Sequence, residues 1–177
     1  MLFNKEIFYK NDIDLNGLSF CRNAVRAVII KNNQILLVYS KTNDEYKFPG
    51  GGVKDNETQE IALFREIDEE IGGTIVDIKC KIGTVIEYNK SKEETFDYFK
   101  MISAYYEVVI ENSLHNQNLD DYEKKLMFIP KWTTIKEALE VNRKTMKSSE
   151  KKTKWIERET YVLNELLKYK ISEKGSK

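Results

Sequence analysis

Phe64 to Gly73 read FREIDEEIGG, and the reading of these ten residues decides the fold. Glu66, Asp68, Glu69 and Glu70 crowd within five positions. Like charges this close repel, so the grouping suits either a solvated helix face or a bound cation. Outward from this stretch, the pattern is helical from about Glu57 to Ile71, and Gly72-Gly73 stops it. At about 100° per residue, Ile61, Leu63, Phe64, Ile67 and Ile71 share one broad arc, predicted to be buried. Glu66, Glu69 and Glu70 fall together on the opposite side, with Ala62 among them. Arg65 lies one turn from Glu69 and is placed to pair with it. Asp68 projects toward the other edge, outside the cluster.

Just upstream stands EYKFPGGGVKDNET, where Pro49 and three glycines exclude regular structure. Glycines let a backbone approach a ligand closely. A glycine loop beside an acid-faced helix brings hard oxygen donors from two sources together, and such donors suit Mg²⁺ or Mn²⁺. Magnesium bridging carboxylates and phosphates is one way a neutral protein holds a polyphosphate.

The chain is neutral. Its 177 residues include 29 Lys+Arg and 29 Asp+Glu, with 41% hydrophobic and 33% charged residues. That length and balance suit one domain with a proper core, predicted to span residues 1–177. No global field attracts nucleic acid or a membrane, so neither is expected as a partner. Cys21 and Cys80 form no disulfide framework, which suits a reducing compartment. No signal-peptide pattern and no apolar run approaching about 18 residues occur, so a cytoplasmic protein is expected. The single histidine, His115, sits in a polar run and reads as a surface residue, which excludes a histidine-rich zinc site.

AVRAVIIKNNQILLVYS reads as two strands around Asn32-Asn33, a tight hairpin. TIVDIKCKIGTVIEY and TFDYFKMISAYYEVVI read as strands, ENSLHNQNLDDYEKK as a polar loop, and LMFIPKW as a further strand. TTIKEALEVN reads as a short helix, and Lys147 to Lys154 as a basic solvated connection. A C-terminal helix is expected at about 154–170, with Trp155, Ile156, Val162, Leu163, Leu166 and Leu167 on one stripe.

The full spacing is Gly51, five residues, Glu57, seven residues, then Arg65-Glu66-Ile67-Asp68-Glu69-Glu70-Ile71-Gly72. It resembles the Nudix box, the signature of the Nudix hydrolases. Seven fixed identities at about 7% each give a chance match on the order of 10⁻⁸ per starting point. One position departs: the family prefers an apolar residue where this chain has Gly73. The resemblance implies an α/β (α+β) Nudix fold, a mixed β-sheet sandwiched between α-helices.

It also implies divalent-metal-dependent hydrolysis of a diphosphate bond in a nucleoside diphosphate derivative. The substrate is then a small-molecule nucleotide, the cofactor Mg²⁺ or Mn²⁺, and the assembly a monomer or homodimer. By motif position, Glu69 and Glu70 are implied metal ligands and Glu66 a ligand or general base. The Gly50 carbonyl is a further candidate ligand. Glu57 supports the site from the helix start, and Arg65 orients a glutamate. The base is either the box glutamate or an acid of the later loop, from Glu111, Asp120, Asp121 and Glu123.

Substrate choice lies outside the box. The aromatic candidates for stacking a base are Tyr88, Phe96, Tyr98, Phe99, Tyr105 and Tyr106, about half of which must face the core. Tyr88 stands fifteen residues past Gly73, where dinucleoside polyphosphate hydrolases of the family tend to carry a tyrosine. No proline lies between Pro49 and Pro130, which counts against the ADP-ribose type, and the extra motif of the coenzyme A type is absent. Tyr88 and Glu123 are the candidate substrate contacts. The alternatives are a catalytically silent nucleotide-sensing or binding module, whose box would ordinarily be damaged, and an RNA 5′-end hydrolase, which would want a basic channel.

Overall fold

A computed structural model describes residues 1–148 and 153–175. Among the described residues there are seven strands: β1 (Phe3–Phe8), β2 (Ser19–Lys31), β3 (Gln34–Ser40), β4 (Glu45–Lys47), β5 (Ile75–Lys90), β6 (Tyr98–Ile110) and β7 (Phe128–Thr133). The helices are α1 (Gln59–Ile71), α2 (Asp121–Lys125), α3 (Ile135–Lys147) and α4 (Ile156–Gly175). The sheet runs β1-β5-β6-β2-β3-β4, and β7 pairs with β3. β1/β5 and β2/β6 are parallel and the other pairs antiparallel, so the sheet is mixed.

Alternation along β3 sends Ile35 and Leu37 to one face and Leu36 and Val38 to the other. On the first face Ile135, Leu139, Val162 and Leu163 of α3 and α4 join Phe3, Phe48 and Tyr105. On the second, Leu63, Ile67 and Ile71 of α1 meet Val25, Ala27 and Ile29 of β2. Helices therefore cover both faces of the mixed sheet, as expected. Each fully buried leucine or isoleucine of α1 contributes about 1.5–3 kcal/mol.

The β2–β3 hairpin turns at Asn32 and Asn33, with φ of 48° and 64°, the pair of left-handed residues that a type I′ turn requires. Thr58 caps α1, its side chain accepting from the Ile61 N–H at 3.2 Å, and Gly72 ends the helix at φ 62°.

The sheet splits where the site forms. β7 runs along one edge of β3, while the other edge is shared by β2, at Gln34–Leu36, and β4, at Val38–Ser40. Between them β2 bonds to the glycine loop instead: Val25 N–H to Gly51 O, Ala27 N–H to Pro49 O, and Val53 N–H to Asn23 O. Gly50 adopts φ +132°, and a Cβ there would lie 2.2 Å from Val25 O, so only glycine lets the loop dock.

Several expectations need correction. β1 was not foreseen; its only buried residues are Phe3 and Ile7, four apart, too sparse a pattern to signal a strand. The run expected as a polar loop contains α2, started by a capping box between Asp120 and Glu123. The connection expected at Lys147 to Lys154 lies partly outside the described residues. The C-terminal helix runs Ile156–Gly175, beyond the expected end. No described helix is long and apolar enough to cross a membrane.

Candidate active site

The largest correction concerns α1 itself. Ile61 and Phe64 are 55% and 50% exposed, whereas Ala62, Glu66 and Glu70 are buried. The buried arc is rotated from the one predicted by hydrophobicity and is centred on Glu70. Two carboxylates therefore face the interior because the glycine loop, and not bulk solvent, lies opposite them. A Cβ on Gly51 would sit 2.3–2.5 Å from the carboxylate atoms of Glu66, so the loop backbone and this side chain are in direct contact.

A cleft of about 1080 Å³ opens there, and Gly50, Arg65, Glu66, Glu69, Glu70 and Glu123 all line it. Arg65 organises one half. Its Nε and Nη2 donate to the two oxygens of Glu57 at 2.7 and 2.8 Å. Nη2 also donates to Gly52 O at 2.9 Å, and Nη1 donates to Glu66 at 2.5 Å and to Glu69 at 3.3 Å. All five guanidinium donors are used, so the Arg65–Glu69 pairing is present but is the weakest member of a larger fork. These bonds hold the Glu57 carboxyl down at about 2. Glu57 does not line the cleft; it fixes the arginine that does.

Lys47 organises the other half. Its Nζ pairs with Glu70 Oε1, and the other Glu70 oxygen accepts from the Gly50 N–H at 2.8 Å. The Gly50 carbonyl accepts from Arg26 Nη1 and, at 3.4 Å, from Lys47 Nζ. Gly50 thus meets the acids through its N–H, and its carbonyl is taken by two cations, which departs from its expected availability as a ligand.

Burial raises the Glu66 carboxyl above its usual range; Arg65 opposes the shift and Glu70 adds to it. Glu123 is pushed up to about 7, chiefly by burial and further by Glu70, although the Asp120 N–H bonds it at 2.9 Å. The acids are thus crowded and only partly neutralised. This hard-oxygen donor set fits a divalent cation in type and charge. Arg65 and Lys47 hold the carboxylates in separate pairings, and among the described residues no three His, Cys, Asp or Glu side chains close on one point.

Tyr88 does not belong to this site. It lies between Glu87 and Asn89, which line the cleft, and strand alternation turns it to the other side. There it stacks on Phe8 with ring centroids 4.6 Å apart and donates to Glu6 at 3.1 Å. Asp68, left outside the cluster, is exposed and pairs with His115 at 3.0 Å. Sequence reasoning missed Lys47 and Arg26. For Arg26 a signal existed, a charged residue in the middle of the apolar strand AVRAVII.

Comparison with known proteins now decides the family: the model described as NUDIX domain matches residues 22–156. The chain belongs to this family. It is similar to an RNA pyrophosphohydrolase of Tolumonas auensis, 40% identical over 58 residues, 33% of each chain. It is also similar to an 8-oxo-dGTP diphosphatase of Buchnera aphidicola, 41% identical over 54 residues, 28% of this chain and 42% of that one. These matches span about a third of the curated relatives' length. A NUDIX hydrolase structure from Nitrosomonas europaea shares the fold at TM-score 0.55 and 17% identity, covering 82% of this chain and 91% of that one. Nudix hydrolases generally need divalent cations. At Gly73, where the chain departs from the Nudix box, a Cβ would lie 3.0 Å from Ile67 and 3.2 Å from Ile71, so a larger residue there needs those side chains to shift.

Proposed function

We propose that this Nudix protein hydrolyses a diphosphate bond in a small nucleoside diphosphate derivative with Mg²⁺, or Mn²⁺, as cofactor. The observation that carries the reading is the meeting of Glu66, Glu69 and Glu70 with the Gly50–Gly52 loop on one cleft. When bound, the cation neutralises phosphate oxygens and makes a coordinated water more acidic. Glu69, restrained among the described residues only by its long bond to Arg65, and Glu70 would hold it. Glu66 would hold it or take the proton from the attacking water, with Glu123 as the other acceptor reaching the cleft. Arg65, locked by Glu57, positions Glu66 and Glu69. Gly50 positions Glu70 through its N–H.

The two relatives carry different substrate names over similarly short matches, so neither is carried over as the substrate. Zero net charge favours a small nucleotide over an RNA end. The reading includes a single domain over residues 1–177, in the cytoplasm, as a monomer or homodimer. The test is a nucleotide panel with Mg²⁺ or Mn²⁺, products separated by chromatography. Metal-dependent cleavage of a diphosphate bond is expected. No turnover of any nucleotide with either metal would overturn the reading, and binding without turnover would favour the nucleotide-sensing module instead.

A further inference from the structure

One face of β2 forms the cleft wall leading away from the acids. Its alternate side chains Phe20, Arg22, Ala24 and Arg26 all line the cleft, as the two-residue period of a strand allows. The sheet register extends this wall sideways. Phe20 lies beside Phe99 and Phe99 beside Asn89; Arg22 lies beside Met101 and Met101 beside Glu87. These neighbours line the cleft too. The wall is therefore graded, aromatic at Phe20 and cationic at Arg26, where the guanidinium meets Gly50 O at the acidic centre.

Two features set this wall apart from ordinary packing. Arg26 is only 7% exposed, and its Nε has no hydrogen-bond partner among the described residues. A buried charged donor left unmatched is costly, and a phosphate oxygen is its natural acceptor. At the other end Phe20 remains 39% exposed although its ring lies 5.4 Å from Phe96 and 5.9 Å from Phe99. Aromatic rings that cluster at a cleft wall and keep a face open are a platform for a flat ring. Beside them Asn89 accepts from the Lys90 N–H at 3.0 Å through Oδ1, leaving an NH₂ group suited to a base edge. Between the two ends Arg22 lies over the glycine loop, since a Cβ on Gly52 would sit 2.6 Å from its Nη2.

We propose that Phe20 and Phe99 form the nucleobase subsite, and that the substrate's phosphate chain runs from it past Arg22 to Arg26 and the acids. This rests on the hydrolase reading for the acidic end. Arg26 stands six strand positions on from Phe20, about 20 Å at 3.3 Å per residue. A nucleoside monophosphate does not bridge that span, so the substrate class is a nucleoside bearing an extended phosphate chain.

The test is calorimetric titration, in Mg²⁺, with methylene-bridged analogues of ATP and GTP and with methylenediphosphonate as a base-free probe. Phe20→Ala and Phe99→Ala are each expected to weaken binding of at least one nucleotide analogue about 5- to 150-fold. Methylenediphosphonate binding stays unchanged, and Phe20→Trp restores the nucleotide. Arg22→Gln weakens the nucleotide analogues while melting normally. Alanine variants that bind the analogues like wild type, or lose both kinds of probe equally, would overturn the subsite, as would failure of the wild type to bind either analogue. A nucleotide panel turned over with KM untouched by Phe20→Ala sinks the subsite alone. Base-dependent binding without turnover sinks the hydrolase reading alone.

Discussion

Two clusters of charge border the same cleft and are built differently. In the first, Glu57, Glu66, Glu69 and Glu70 share Arg65 and Lys47. Glu66 Oε2 and Glu69 Oε1 receive no hydrogen bond among the described residues, and burial pushes Glu66 and Glu123 upward. In the second, Arg158 joins Glu87 and Glu159 behind the start of α4. Every carboxylate oxygen there has a donor: Tyr9 O–H and Arg158 Nη1 serve Glu87, while Arg158 Nε and Nη2 and the Phe48 N–H serve Glu159. The second cluster is closed and fixes a helix against the sheet. The first is open toward the cleft and carries acid in excess of its cations. Burial is common to both; what separates them is whether the lone pairs are already spent.

That contrast can be broken most directly at Arg158. Arg158→Met strands Glu87 and Glu159, and a loss of about 3–5 kcal/mol in chemical denaturation is expected. A loss below about 1 kcal/mol would mean that the closed cluster holds nothing. At the open cluster the sign of the stability effect reverses for Glu69, the least restrained of its acids. Glu69→Gln or Glu70→Gln is expected to cut turnover on the order of 10²-fold or more, because a neutral amide is a poor ligand for a hard cation. For Glu69→Gln, whose side chain is held among the described residues by one long bond to Arg65, the melting temperature holds or rises. Glu70→Gln also strands the partly buried Lys47 and lowers it. A matched fall in turnover and stability for Glu69→Gln would make that residue structural.

Cation binding itself sharpens the distinction without relying on turnover. At 100 times its dissociation constant, Mg²⁺ or Mn²⁺ adds about 2.7 kcal/mol of stability to wild type. A thermal-shift titration should show this gain and lose it in the Glu69→Gln/Glu70→Gln double variant. An undiminished shift in that variant would put the cation elsewhere. The smallest effect is expected at Tyr88, which belongs to neither cluster. Tyr88→Phe removes one hydrogen bond, worth about 1 kcal/mol, and should leave KM for every nucleotide unchanged. A raised KM would return Tyr88 to the substrate.

Legibility followed the range of the interactions. The hairpin at Asn32-Asn33, the helix ended by Gly72 and the spacing from Gly51 to Glu70 were readable, because turn chemistry, capping and helix period act within a few residues. The buried face of α1 was misread for the opposite reason. A wheel ranks faces by hydrophobicity, but the loop at Gly50–Gly52 chose the face carrying Glu66 and Glu70, leaving Ile61 and Phe64 outside. Phe99 was among the aromatic candidates and Phe20 was not. Nothing local says that Phe20 and Phe99, on two strands far apart in the chain, are register partners.

By itself, then, the sequence determined the family, the acid-bearing helix and the glycine loop that approaches it, since all three lie in one short segment of fixed spacing. Tertiary structure alone decided which cations reach this site: Lys47 from β4 pairs with Glu70, Arg26 from β2 takes the Gly50 carbonyl, and in the closed cluster Arg158 from α4 pairs with Glu87 and Glu159. It also turned Tyr88 away from the cleft and Phe20 toward it. The physical reason is that a strand's face is set by its register with distant partners. A one-residue slip exchanges the two sides, and no local preference of the chain specifies that choice.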